Sequence, residues 1–102
     1  MTQYRMVRVY TLEGESPIDK ILRFLHDDEK LIGVTLIRAI AGYGDSGQLH
    51  TTSLLSLSLQ LPLIIEFFDE EERIMDVIPK LREKFHLRHI VSWPIEVDSP
   101  PI

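Results

Sequence analysis

Leu61-Pro62-Leu63-Ile64-Ile65-Glu66-Phe67-Phe68 is a nearly continuous apolar run, and Asp69-Glu70-Glu71-Glu72 follows it at once. A run of this length with little alternation reads as a central strand buried on both faces. Pro62 is tolerated at its start, where no ladder hydrogen bond is lost. Beyond it, Ile74, Val77, Ile78, Leu81 and Phe85 recur at helical spacing and predict a second helix. Asp69 stands where an N-cap is expected, with Glu72 three residues on in the capping-box position. The glutamates lie at the positive end of the helix dipole, and Lys80, Arg82 and Lys84 near the negative end. Pro79 falls inside this helix, where it removes a hydrogen bond at a cost of ~3 kcal/mol, so a kink or an irregular turn is expected there.

The same order of elements lies upstream. Met6-Val7-Arg8-Val9-Tyr10 is β-branched and aromatic, and predicts a first strand over roughly residues 3–11. Ser16-Pro17 opens a helix, with Ser16 as cap and Pro17 at the first helical position. Ile18, Ile21, Leu22 and Leu25 give its apolar stripe, widened by Phe24. After Gly33, Val34 to Ile40 reads as a second strand. Val34, Leu36 and Arg38 share one face of it, and Thr35, Ile37 and Ala39 the other. Leucines alternate with Ser56, Ser58 and Gln60 from Leu55 to Leu61, which favours an extended segment. Leu87 to Val97 reads as the last strand, and Pro94 argues that it is an edge strand or contains a break.

Two β-α-β units of this size predict an α+β, ferredoxin-like fold of order βαββαβ, with a four-stranded antiparallel sheet and two helices on one face. Residues 1–98 form a single domain in this reading, and residues 99–102 a loose tail. The helix-free face carries apolar side chains, and self-association is the simplest way to cover it.

Composition narrows the function. The 102 residues carry a net charge of −5, with 44% hydrophobic and 26% charged residues. The chain lacks the basic field that nucleic acid binding needs. It has no cysteine, which excludes disulfides, thiolate metal sites and Cys nucleophiles. Met1 to Arg5 show no apolar signal region, and no stretch reaches the roughly 20 apolar residues of a membrane span, so the cytoplasm is the expected compartment.

Chemistry concentrates after the second strand. Gly42-Tyr43-Gly44-Asp45-Ser46-Gly47 holds three of the five glycines. It matches the dinucleotide fingerprint, but it leads into Thr51-Thr52-Ser53 and alternating leucines instead of a helix that would hold a pyrophosphate. The alternatives left are a hairpin connection and a binding or regulatory loop. His50, Thr51 and Ser53 suit directional hydrogen bonds to an anion or polar ligand. A His50 nucleophile pair lacks an evident third group to orient it. His86 and His89 straddle a helix end without a matching carboxylate, so no metal site is expected. With Lys80, Arg82, Lys84 and Arg88 they form a basic cluster that complements the helix dipole or meets a phosphate. Arg38, in an apolar strand, needs either an acid such as Glu66 on a neighbouring strand or a ligand near the loop.

Three stretches carry a family likeness: Gly33-Val-Thr-Leu-Ile-Arg38-Ala-Ile-Ala-Gly42-Tyr-Gly44, Leu49-His50-Thr51-Thr-Ser53, and Leu61-Pro62-Leu-Ile-Ile-Glu66 with Ile78-Pro79-Lys-Leu81. Over residues 4 to about 97 the chain resembles the small PII-like proteins catalogued as a domain of unknown function. The resemblance implies a PII-like fold and a homotrimer. It implies a small ligand, an adenine nucleotide or another anion, in clefts between subunits. It further implies a long loop, here residues 42–53, that docks on a partner, with a membrane transporter or channel as a candidate. Pro79 matches an element of the family's second helix. The phosphate-holding glycine loop of PII proteins has no glycine counterpart in Leu81 to Arg88. The resulting expectation is a non-enzymatic regulatory trimer whose site residues are Arg38, Gly42, Gly44, His50, Thr51 and Ser53. A small enzyme using His50 as acid/base and a structural subunit without ligand are the competing readings.

Overall fold

The computed structural model describes residues 2–44, 47–51 and 60–99, with only the backbone of residues 50 and 51. Ser53, most of the alternating leucine segment and residues 100–102 of the expected tail lie outside the described residues. In chain order the elements are β1 (Tyr4–Leu12), α1 (Ile18–Arg23, continued by a π-helical turn over Phe24–Asp28), β2 (Gly33–Arg38), β3 (Ala41–Gly42), β4 (His50–Thr51), β5 (Pro62–Glu70), α2 (Glu71–Phe85) and β6 (His89–Ile95). The four long strands form one antiparallel sheet in the order β2-β5-β1-β6. This is the expected ferredoxin-like arrangement. The apolar run of β5 is central, and β6 with Pro94 is an edge.

Alternation explains the two faces. Leu63, Ile65 and Phe67 of β5 are buried, while Pro62, Ile64, Glu66 and Phe68 between them are half-exposed. Val7 and Val9 stand beside Phe67 and Ile65 on the buried face. Against them pack Ile21, Phe24 and Leu25 from α1 and Ile74, Val77 and Leu81 from α2. Each fully buried aliphatic of this kind contributes about 1.5–3 kcal/mol. Phe24 and Phe85 meet edge to face at 5.8 Å and join the two helices, with the Lys84 ammonium 4.9 Å from the Phe24 ring.

The other face follows the same register. Met6 lies between Phe68 and Trp93, Arg8 between Glu66 and Val91, and Tyr10 between Ile64 and His89. Tyr10, Val91 and Trp93 are exposed. Arg8 Nε donates to Glu66 Oε2 at 2.7 Å, and its guanidinium lies 5.8 Å from the Trp93 ring. Its bonds with Tyr10 and with Glu66 raise the Arg8 pKa above its ordinary value. The resulting face is apolar around one ion pair.

Three local expectations are corrected. Asp69 does not cap α2, because the helix starts two residues later, after Glu70, without a side-chain cap. Asp69 is 2% exposed and turns inward, accepting the N–H of Ile32 at 3.1 Å and of Glu70 at 2.6 Å. Ser16 does not cap α1 either, since its hydroxyl is shared with Thr11 Oγ1 at 2.8 Å. Pro79 leaves α2 continuous from Glu71 to Phe85. Pro79 is itself exposed, and Met75, whose carbonyl loses the bond, is exposed too, so water can serve the carbonyl. The irregular turn lies in the first helix instead. There Glu29 N–H reaches back five residues to Phe24 O at 3.0 Å, and Lys30 adopts a left-handed φ of 52°.

Helix α2 anchors that turn. Lys80 Nζ pairs with Glu29 Oε1 at 3.0 Å and with Asp76 Oδ2 at 2.9 Å, which raises the Lys80 pKa. Arg73 donates to the Glu29 carbonyl.

Candidate functional site

The ends of three strands converge at the end of the sheet opposite Asp69. Leu12 of β1 stands beside Pro62 of β5, and Arg38 of β2 beside Leu63. A turn follows β1, closed by Glu15 N–H to Leu12 O at 3.1 Å, with Gly14 at φ 84°. Glycine takes that dihedral without the steric penalty of a Cβ. The turn directs Glu13 across the gap to Leu61. Glu13 N–H donates to Leu61 O at 3.0 Å, and Leu61 N–H donates to Glu13 Oε1 at 3.0 Å. Arg38 Nε donates to the same carboxylate oxygen at 3.0 Å. The Leu61 N–H first, and then Arg38, hold the Glu13 carboxyl below its ordinary pKa. Ala39 N–H adds a bond to Pro62 O at 2.9 Å.

Arg38 was expected to meet Glu66 or a ligand. The Glu66 pairing is corrected: Glu66 belongs to Arg8 on the open sheet face, whereas Arg38 lies on the opposite face of β2 and pairs with Glu13. The reason is the alternation of strand side chains, since Thr35 and not Arg38 stands beside Glu66. The Arg38 side chain is 58% exposed. Its bond to Glu13 engages Nε, so an incoming anion can reach the guanidinium from solvent.

Beyond Arg38 the chain forms a small hairpin. Gly42 is opposite His50, and Ala41 opposite Thr51. A Cβ on Gly42 would lie 3.0 Å from Pro62 Cγ, so glycine lets the hairpin root press on the start of β5. Gly47 N–H donates to Gly44 O at 2.9 Å, and Gly47 has φ 72°. Ile40, Tyr43 and Leu49 are strongly exposed on this segment. Gly42, His50 and Thr51 are thus brought together by register, with Arg38 at their root and Gly44 at the turn. Ser53 lies outside the described residues.

Glu13 and Arg8 escaped the sequence reading. The Glu13-Gly14 pair directly after a strand is the signal that could have found Glu13, because an acid before a turn glycine is placed to grip neighbouring backbone. For Arg8 the signal is its place between Val7 and Val9, on the face that the valines do not use. The basic cluster disperses: Lys80 is taken by two acids, Lys84 lies on Phe24, and His86 closes α2 with φ 54°. Among the described residues no three His, Asp or Glu side chains converge to hold a metal. Two shallow grooves run beside the π turn, lined by Leu22, Arg23, His26, Asp27, Lys30, Leu31 and Val34, and neither includes Arg38 or the glycine segment.

This arrangement offers an exposed guanidinium, fixed at one nitrogen, beside a glycine hairpin whose backbone can be approached closely. That combination suits charge-assisted hydrogen bonds to an anion.

Known proteins resemble the chain as a whole. The family DUF190, Uncharacterized ACR, matches residues 5–97. A UPF0166 protein of Aquifex aeolicus is 34% identical over 84 residues, covering 78% of this chain and 80% of its own. A UPF0166 protein of Methanocaldococcus jannaschii is 35% identical over 88 residues, covering 81% of this chain and 80% of its own. Among solved structures, CPII bound to ADP and bicarbonate, from Thiomonas intermedia K12, superposes with a TM-score of 0.67 at 15% identity, covering 96% of this chain and 91% of that one. The chain belongs to the DUF190 family, and its fold is that of a PII-like protein.

Proposed function

We propose that this chain is a non-enzymatic, cytoplasmic regulatory protein that works as a homotrimer. Residues 1–98 act as one domain. A small ligand, an adenine nucleotide or another anion, binds in clefts between copies, and the 42–53 loop carries the signal to a partner. The observation that carries the reading is Arg38, more than half exposed yet held by Glu13 at the root of the glycine hairpin. A group fixed in advance loses less entropy when it binds. The fold shared with a protein whose structure holds ADP and bicarbonate supports an anionic ligand as the class to test first.

Two further features support the assembly and the output. The helix-free face exposes Tyr10, Val91 and Trp93 around the Arg8–Glu66 pair, and other copies of this chain would cover it. Ile40, Tyr43 and Leu49 give the hairpin an apolar surface for docking, with a membrane transporter or channel as the candidate partner. The phosphate grip here would differ from a glycine loop before the last strand, because His86 occupies the left-handed position between α2 and β6. Arg38, Gly42, Gly44, His50, Thr51 and Ser53 are the proposed ligand residues.

The test combines light scattering with thermal shift. The account predicts a mass three times the 11.8 kDa of one chain. It also predicts stabilisation by ADP, ATP, bicarbonate or phosphate that Arg38→Gln removes without loss of fold. A single-chain mass at micromolar concentration, or shifts that ignore Arg38, contradicts it.

A further inference from the structure

Strand β2 lies at a sheet edge, and the helix layer does not cover it fully. Val34 stands beside Phe67 and Leu36 beside Ile65, so both point to the helix side of the sheet. Phe67 and Ile65 are sealed there, yet Val34 is half-buried and Leu36 is 42% exposed. The two grooves beside the π turn, of about 430 and 390 Å³, adjoin this uncovered strip and share His26 and Asp27. Leu22, Leu31 and Val34 give them an apolar floor that packs on the core. Arg23 lines one groove and Lys30 the other. Both cations are exposed, and neither pairs with an acid among the described residues. The lining acid, Asp27, is engaged by His26 Nδ1 at 2.6 Å, and Glu29 close by is taken by Lys80.

The backbone at Lys30 adds a second observation. Lys30 has a left-handed φ of 52° directly after the π turn, where Leu31 N–H returns to Leu25 O at 3.1 Å. Glycine is the usual residue at such a helix end, because a Cβ is penalised there. A lysine in that place sets a cation on the groove wall at the expense of backbone comfort. Strain of this kind, like a π turn, gathers at functional positions. We propose that the grooves between α1 and β2 bind an acidic peptide segment of a partner protein that also carries leucine-like side chains. The apolar side chains rest on Leu22, Leu31 and Val34, and the carboxylates meet Arg23 and Lys30. The helical rise sets these two cations roughly 10 Å apart, about three residues of extended chain. Shallow, elongated grooves suit an extended chain better than a small molecule, which needs enclosure. The site lies apart from Arg38 and stands independently of the ligand reading.

The experiment titrates the intact, isotope-labelled protein with an end-blocked peptide of alternating glutamate and leucine. The proposal predicts saturable amide shifts confined to residues 22–36, weakened by added salt. Lys30→Gly is the decisive variant, because glycine accepts the left-handed backbone and the fold is retained. It should melt no lower than the wild type yet bind about fivefold more weakly, the scale of one exposed ion pair. Arg23→Gln should weaken binding to a similar degree. Control peptides with lysine in place of glutamate, or serine in place of leucine, should not bind. Equal affinity in wild type and Lys30→Gly overturns the proposal, as does binding of the lysine peptide, shifts centred elsewhere, or no binding at all. Tighter binding to phosphatidylglycerol vesicles than to the peptide overturns it in favour of a membrane surface. The same amide shifts on concentrating the protein alone overturn it in favour of a second copy.

Discussion

Two acids grip backbone at opposite ends of the same sheet. Asp69 ends the β5 side, 2% exposed, and holds the N–H groups of Ile32 and Glu70, with Arg73 3.8 Å away. Glu13 follows β1 at the other end, 30% exposed, and holds the N–H of Leu61 together with Arg38. Both tie a connection to the sheet, α1–β2 in one case and β2–β5 in the other. The difference lies in solvent. Asp69 is itself almost fully buried and its shorter bonds, at 2.6 and 3.1 Å, are to backbone groups, with Arg73 a looser partner at 3.8 Å, so it acts as a staple. A half-exposed carboxylate that shares its oxygen with a solvent-facing arginine can be displaced. The comparison sets a buried clamp at one end of the sheet against a solvent-facing one at the other.

The sharpest way to break the comparison is Asp69→Ala. It removes the buried carboxylate that accepts from Ile32 and Glu70 N–H, and chemical denaturation should show a loss of about 1–3 kcal/mol. A cost within measurement error would mean that the buried acid is not a staple. Asp69→Asn keeps one acceptor oxygen and should lose less, about 1–2 kcal/mol by the same measurement.

Glu13→Ala should lower global stability far less than Asp69→Ala, because its partners can turn to water. Its mark should be local, with faster Leu61 amide exchange. A melting temperature lowered as much as in Asp69→Ala would erase the distinction between the two ends.

Acid offers a gentler probe. The folded Glu13 carboxyl titrates below its ordinary value of 4.5, so its contribution is complete above the unfolded pKa and is lost as pH falls through the lower folded value. Leu61 protection should therefore persist at pH 5 and fade below pH 4.5 in the wild type, with no such acid step in Glu13→Gln. Protection that fades on raising the pH would have the wrong sign.

Gly42→Ala should give the smallest effect. The added methyl would meet Pro62 Cγ at 3.0 Å, a contact that a small shift of the ring can relieve, so a cost of about 1 kcal/mol or less is expected in thermal melts. A larger penalty would show the hairpin root to be as rigid as the Asp69 end.

Much of this scaffold is written in local pattern. The apolar run from Leu61 to Phe68 and the stripe from Ile74 to Phe85 carry their own periodicity, so β5, α2 and the sheet class were legible in sequence. Pro94 marked an edge because a strand interior cannot spare the donor. The misread residues are those whose partners lie far along the chain. Asp69 fits a capping box locally, yet its bond is to Ile32, 37 residues away. Glu13 looks like a turn acid, and its partners are 25 and 48 residues on. Arg38 was rightly singled out as a cation in need of a partner, but the choice between Glu66 and Glu13 depended on which face of β2 it uses. The π turn at Phe24–Asp28 has no pattern of its own, and it is held by Arg73 and Lys80 from the other helix.

The most direct test of the proposed function is a calorimetric titration of ADP into the intact protein, with Arg38→Gln as control. The account predicts saturable heat in the wild type that disappears in the variant while the variant keeps its fold. Identical isotherms for the two proteins, or no heat with ADP at millimolar concentration, would contradict a nucleotide site built on Arg38.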